Sequence, residues 1–92
     1  MLAFQHTQIL ILYQLPVMDD LDVDLILSDF GAIVRRLRTE KEVSLRSVAD
    51  IMETDPSWLS QIERGRVDVQ LSTLFKIAAA LNISVHDLLP AT

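Results

Sequence analysis

The sequence offers one row of polar side chains suited to hydrogen-bond chemistry with a ligand: Ser57, Ser60, Gln61 and Arg64. On a helix of 3.6 residues per turn these residues point to one side, whereas Leu59 and Ile62 point to the other. A small, polar and uncrowded row is what a helix needs in order to enter the major groove of DNA. From the row alone, an ordinary solvated helix face is the better interpretation, so the surrounding elements must decide.

Two short helices in tandem are predicted around this row. Ser44 is the expected cap of a helix over residues 45–52, whose inward stripe is formed by Leu45, Val48, Ala49 and Met52. Asp55 caps the next helix, and Pro56 occupies its first position, where a missing N–H costs nothing. Gly65 ends that helix. Two short helices joined by a tight turn are the signature of a helix-turn-helix.

Three further helices are expected to complete the bundle. Ser28 is the predicted cap of the first helix, and apolar residues just before it add an extra turn. A fourth helix runs over Leu71–Leu81 and closes at Asn82, which tolerates the left-handed conformation. Ser84 and Asp87 form a capping box for a short last helix. The expected fold is therefore all-α, a compact bundle of five helices.

Composition excludes several kinds of chemistry. The chain has no cysteine, which removes disulfides, thiolate zinc sites and thiol catalysis and fits a cytoplasmic location. His6 and His86 have no second ligand at a useful spacing, and the two glycines form no phosphate loop. No run of about 18 apolar residues is present to span a membrane. We therefore expect no catalysis, no cofactor and no metal.

The net charge of −5 is distributed unevenly along the chain. Residues 1–28 hold four acids and no Lys or Arg, whereas residues 29–92 hold all eight bases against nine acids. Phosphate neutralisation dominates binding to nucleic acid, but an electrostatic field depends on where the charges lie. A local basic surface within residues 29–92 thus remains compatible with a nucleic-acid partner.

Residues 1–28 are predicted to be an N-terminal extension and residues 29–92 the domain. Residues 8–15 contain a continuous apolar run that ends before Pro16, which is typical of a short strand. A lone strand in a helical chain has to pair with a second chain, pack on the domain or stay disordered. A further alternative is that translation starts at Met18 and the preceding residues are a start-site artefact.

From Phe30 to Leu89 the chain resembles the lambda-repressor/Cro type of helix-turn-helix domain, the XRE family. The residues that carry the resemblance are Phe30-Gly31, Val34-Arg35-Arg36-Leu37-Arg38, Ser44, Val48-Ala49, Leu59-Ser60-Gln61-Ile62-Glu63-Arg64-Gly65, Leu71, Thr73-Leu74, Lys76-Ile77-Ala78, Ala80-Leu81, Ser84 and Leu88-Leu89. Three positions depart from the pattern. Leu45 stands where a Gln often touches a phosphate, Glu53 stands where the turn often has Gly, and Pro56-Ser57 replace longer polar side chains.

The resemblance implies sequence-specific DNA binding and transcription regulation, as a repressor in a bacterium or phage. Expected base contacts are Pro56, Ser57, Ser60 and Gln61, and expected phosphate contacts are Ser44, Arg46, Arg64 and Arg66. Positions that match Arg38 and Glu63 form an ion pair in the family. A homodimer on double-stranded DNA is expected, with the apolar run at residues 9–13 or Leu88 and Leu89 as its contacts.

Two other functions remain open. A protein-interaction module would bind a partner protein through the helix-turn-helix, while the acidic extension repels DNA. An antitoxin-type regulator would keep DNA binding and hold a toxin partner through residues 1–28.

Overall fold

The computed structural model describes residues 21–90. They form four α-helices, α1 (Val23–Glu40), α2 (Leu45–Ile51), α3 (Pro56–Glu63) and α4 (Leu71–Leu81), followed by a 3-10 helix (Val85–Leu88). Residues 21–90 contain no strand, so the all-α class is confirmed for this part of the chain. The strand expected at residues 8–15 lies outside the described residues.

The predicted short last helix is a four-residue 3-10 helix, so residues 21–90 contain four α-helices where a bundle of five helices was expected. Its predicted start is present: the capping box of Ser84 and Asp87 forms in full. The helix stops after Leu88 because Leu89 has extended backbone, at φ −79° and ψ 132°. Leu89 precedes Pro90, and a residue before proline is disfavoured in the α conformation.

The start of α1 also differs from the prediction. Asp22, not Ser28, is its N-cap, and the Asp22 carboxylate accepts the N–H of Leu25 at 3.0 Å. Because Leu25 and its neighbours favour a helix, the helix continues without a break through Ser28. The expected boundary between extension and domain, at residue 28, therefore falls inside α1.

All four α-helices end in the same backbone motif. A residue one or two positions past each helix has positive φ, and the following N–H bonds a carbonyl in the last turn, at 2.9–3.2 Å. This is the Schellman arrangement, which Gly and Asn tolerate best. Here the positive-φ positions are Glu42, Glu53, Gly65 and Asn82. The helix ends predicted at Gly65 and Asn82 are confirmed, and Glu53 keeps the conformation that usually selects Gly.

The core is built from the inward stripes of the four helices and from the 3-10 helix. Its buried apolar residues are Phe30, Val34, Val48, Ala49, Leu59, Ile62, Ile77, Ala78, Leu81 and Leu88. Other residues on the inward sides of the helices are partly buried around this core: Ile33, Leu37, Leu45, Met52, Trp58 and Leu74. The helical periodicity of the sequence therefore identified the packing face of each helix.

Helix α1 crosses α3 at very close range. A Cβ added to Gly31 would overlap the backbone carbonyl oxygens of Ile62 and Glu63, so only glycine permits this approach. The contact fixes the last turn of α3 against the middle of α1. None of the helices within residues 21–90 has the length and apolar character needed to cross a membrane.

Candidate nucleic-acid interface

The start of α3 is held by a strong N-terminal cap. One carboxylate oxygen of Asp55 accepts both the N–H and the hydroxyl of Ser57, each at 2.8 Å. These two hydrogen bonds lower the pKa of Asp55 below its usual value of 3.8, the backbone bond contributing most. Because the Ser57 hydroxyl donates its hydrogen to Asp55, it is placed to accept, not donate, a bond from a ligand.

The predicted row on α3 faces away from the core. Ser57 is exposed, and Ser60 and Gln61 are partly exposed, whereas Leu59 and Ile62 are buried. Among residues 21–90 no group is hydrogen-bonded to the Gln61 amide, so both its donor and its acceptor remain free for a ligand. Pro56, at the first position of α3, has no N–H and offers only apolar contact.

The far end of α3 is tied to α1 by Arg38 and Glu63. The Arg38 Nε donates to Glu63 Oε2 at 2.7 Å, and Nη2 donates to Oε1 at 3.1 Å. The remaining Nη1 donates to the carbonyl of Val43 at 3.0 Å. The hydrogen bonding that Arg38 donates to the Glu63 carboxylate is the main cause that raises the pKa of Arg38. Arg38 therefore holds α1 to α3, and Glu63 compensates its charge.

A groove of about 170 Å³ lies where α1, α2 and α3 meet. It is lined by Arg35, Arg38, Leu45, Ser60, Glu63 and Arg64. Arg35 and Arg64 are exposed and form no ion pair with residues 21–90, so they bring two uncompensated charges to its walls. The groove adjoins the polar row through Ser60. This arrangement suits a negatively charged oxygen ligand such as a phosphate.

Arg35 was not among the phosphate contacts expected from the sequence. The available signal was its position one turn before Arg38 on α1: if Arg38 reaches Glu63, the preceding turn on the same face must also lie beside α3. In the sequence alone, Arg35 is one of eight bases that could form a local basic surface.

The side chains of the other expected phosphate contacts differ in exposure and in whether they already form hydrogen bonds. Arg46 and Arg66 are exposed, one on α2 and one in the loop after α3. The Ser44 hydroxyl donates to the hydroxyl of Ser47 at 2.8 Å and accepts the Ser47 N–H at 3.0 Å. Ser44 is thus engaged in capping α2. Leu45, where the family often has Gln, is partly buried against the core and supplies no donor.

Comparison with known proteins agrees with this geometry. A family model described as helix-turn-helix (HTH_3) matches residues 34–88. The HTH-type transcriptional regulator DdrOP3 of Deinococcus deserti is 39% identical over 56 residues, which cover 61% of this chain and 43% of that regulator. The control protein C.MunI of Mycoplasma sp is 38% identical over 60 residues, covering 64% of this chain and 81% of that protein. The chain therefore spans less than half of the Deinococcus regulator.

Solved structures show the same fold. The restriction-modification controller protein C.AhdI of Aeromonas hydrophila superposes with a TM-score of 0.66 and 37% identity, over 67% of this chain and 94% of that one. The clp gene regulator ClgR of Corynebacterium glutamicum gives a TM-score of 0.67 and 36% identity, over 68% and 82% of the two chains. Because the family model covers more than half of the sequence, and α2 and α3 have the expected geometry, this chain belongs to the XRE-type helix-turn-helix family.

Proposed function

We propose that this protein is a sequence-specific DNA-binding regulator of transcription that reads the major groove with α3. The observation that carries the proposal is the adjacency of two surfaces. The polar row with the free Gln61 amide adjoins the groove walled by Arg35 and Arg64. Base recognition requires such side chains on the helix, and backbone contacts require cations beside it. The regulators and control proteins similar to this chain support the same reading.

The domain presents basic side chains that form no ion pair within the described residues, although the net charge of the chain is negative. Within residues 21–90, six basic side chains form no ion pair: Arg35, Lys41, Arg46, Arg64, Arg66 and Lys76. Four of the six belong to α1, α2, the C-terminal end of α3 or the loop that follows it: Arg35, Arg46, Arg64 and Arg66. A phosphate contact by each of Arg35, Arg46, Arg64 and Arg66 would supply the sequence-independent part of binding.

We further propose that two copies bind a pseudo-palindromic operator and repress transcription. One eight-residue helix reads only a few base pairs, and a two-fold dimer places two such helices in major grooves about 34 Å apart. A dimer that covers two successive grooves excludes other proteins from that DNA. Of the expected dimer contacts, Leu88 is fully buried in the core, whereas Leu89 remains exposed and available.

The test is selection of binding sites from random duplexes with the full-length chain, followed by a salt titration on the selected site. We expect an enriched two-fold motif, and an affinity that falls with salt at a slope of about −0.9 per phosphate contact. Sedimentation of the complex should show two chains per duplex. Recovery of no motif, together with no salt-sensitive binding to any duplex, would overturn the proposal and favour a protein-interaction module.

The charge of the N-terminal extension supports a second candidate function, in which the regulator also binds a protein partner. The first basic residue of the chain is Arg35, and five acids precede it. An acidic extension joined to a DNA-binding domain fits an antitoxin-type regulator whose residues 1–28 hold a basic partner. Its test is whether residues 1–28, as a synthetic peptide, bind a candidate toxin encoded beside this protein.

A further inference from the structure

The outer side of α4 exposes large apolar side chains that no residue between 21 and 90 covers. Leu71 and Phe75 lie one turn apart and are 68% and 57% exposed, and Ala79 continues the row one turn later. Ile51, at the end of α2, is also exposed. We call these four residues the α4 apolar surface. An apolar surface of this kind is typical of a site that binds another apolar segment.

A groove adjoins the α4 apolar surface. It has a volume of about 310 Å³, and Ile51 and Ala79 form part of its wall. The small side chains of Ala79 and Ala80 leave room in it for a larger side chain from outside. Lys76 and Glu53 also line this groove, so its wall carries one positive and one negative charge. An uncharged apolar segment therefore fits this site better than a charged one.

The chain itself carries such a segment. Residues 1–18 contain no Asp, Glu, Lys or Arg, and 12 of these 18 residues are apolar. Five apolar residues are consecutive, from Ile9 to Tyr13. Apolar surface left in water is unfavourable in proportion to its area. The sequence thus holds an uncharged apolar run, and the structure holds an uncovered apolar surface.

The run is long enough to reach this surface. Eight residue steps separate Tyr13 from Leu21, and an extended chain spans about 3.3 Å per step, or about 26 Å. A domain of about 70 residues has a radius of gyration of about 11 Å, so that reach is slightly more than twice this radius. A short tether gives an effective concentration in the millimolar range, which favours the chain's own surface over a second copy at micromolar concentration.

We propose that the apolar run at residues 9–13 binds the α4 apolar surface of its own chain. The row on α3 shares no residue with this surface, so the proposal stands or falls separately from DNA binding.

The experiment uses the absence of cysteine. Gln14→Cys gives the full-length chain one attachment point for a nitroxide spin label, directly after the run, without changing an apolar residue. NMR amide signals are compared with the label oxidised and reduced. We expect loss of signal at Ile51, Phe75 and Ala79, and no loss at Gln61 on α3. The Phe75→Asp variant should recover the lost signals, and its amide spectrum reports whether the fold is intact.

The matched control is Leu25→Asp, which places the same charge at another exposed apolar residue, on α1. It should leave the signal loss at the α4 apolar surface unchanged. Spin-labelled chain without isotope is also mixed with isotope-labelled chain without the spin label. Signal loss on α4 in this mixture as strong as in the uniformly labelled chain identifies a second copy as the occupant and overturns the proposal, as does an absence of signal loss on α4 in both samples.

Discussion

Arg38 and Glu63 join the end of α3 to α1 through two hydrogen bonds, at 2.7 Å and 3.1 Å. The pair lies beside the glycine contact at Gly31, where the backbones of the same two helices touch. Side-chain and backbone contacts therefore fix one end of α3. The other end is fixed by the Asp55 cap and by the buried Leu59. The polar row between the two ends is consequently held on a rigid element.

The Glu63→Ala variant should lose about 3 kcal/mol of the free energy of unfolding. The Glu63 side chain is only 6% exposed, and its removal would leave the guanidinium of Arg38 partly buried without its counter-charge. The matched control is Glu40→Ala, which breaks the exposed pair with Arg36, whose side chains are 61% and 58% exposed. That control should cost at most about 1 kcal/mol. Chemical denaturation measures both, and equal losses would contradict the structural role of Glu63.

Stability should fall in acid partly through Asp55. Its pKa is lowered in the folded state, so the carboxylate stabilises the fold fully above its unfolded pKa of about 3.8. That contribution is lost as the pH falls through the lower, folded pKa. Asp55→Asn keeps a capping oxygen but does not titrate. When acid unfolding is measured by circular dichroism, the variant should therefore show a shallower curve below a pH of about 4. An unchanged curve would show that other carboxylates account for acid unfolding.

The Glu53→Gly variant should stabilise the domain by about 0.5–1 kcal/mol. Glu53 has a φ of 55°, a left-handed conformation that costs a residue with a side chain about 1–2 kcal/mol. Glycine removes this cost, but its greater freedom in the unfolded chain offsets part of the stabilisation. The control is Glu40→Gly, the same change at the last residue of α1, where the backbone is helical and glycine brings no relief; it should destabilise the domain by about 0.5–1 kcal/mol, to which loss of the exposed pair with Arg36 contributes. A loss of stability in Glu53→Gly, measured by urea titration, would mean that the Glu53 side chain has a stabilising contact.

Gly31→Ala should separate α1 from α3. The added methyl group would meet the backbone of Ile62 and Glu63, which cannot move aside as a flexible side chain can. Overpacking of this kind costs about 1–3 kcal/mol. Ala32→Gly, at the exposed neighbouring position, should cost about 1 kcal/mol through helix propensity alone. Only Gly31→Ala should also shift the NMR signals of Ile62 and Glu63, and unshifted signals would argue against the close crossing.

Base specificity and overall affinity for DNA should depend on different residues. Gln61→Ala should reduce discrimination at one base position per half-site by about 1–3 kcal/mol, because a Gln side chain can both donate to and accept from an adenine edge. Arg66→Ala should weaken binding to all sequences alike and reduce the salt slope by about one unit per half-site. Arg35→Ala should behave like Arg66→Ala, since Arg35 lines the groove beside Ser60.

These DNA predictions are measured on a panel of single-base variants of the selected operator. Lys41→Ala removes an exposed cation just past the C-terminal end of α1, one that does not line the groove, and is the matched control for charge alone. Unchanged base preference in Gln61→Ala would place specificity in other contacts or in the deformability of the DNA.

Features that depend on a few neighbouring residues were predictable from the sequence. The caps at Ser44 and Asp55, the capping box at Ser84 and the helix ends at Gly65 and Asn82 all involve groups within about six positions of each other. The apolar stripes follow from the helical repeat in the same way. The start of α1 was missed because Asp22 and Ser28 are both good caps, and the helix-forming residues between them allow the earlier start.

Tertiary structure decided which residues meet across helices. Leu88 and Leu89 are adjacent and identical in type, yet one is buried in the core and the other is exposed, because the 3-10 helix turns only one of them inward. Arg35 and Arg64 reach the same groove only because the glycine contact at Gly31 brings α1 close to α3. A local pattern specifies the direction of a side chain relative to its own helix, whereas the crossing of two helices determines what that side chain touches.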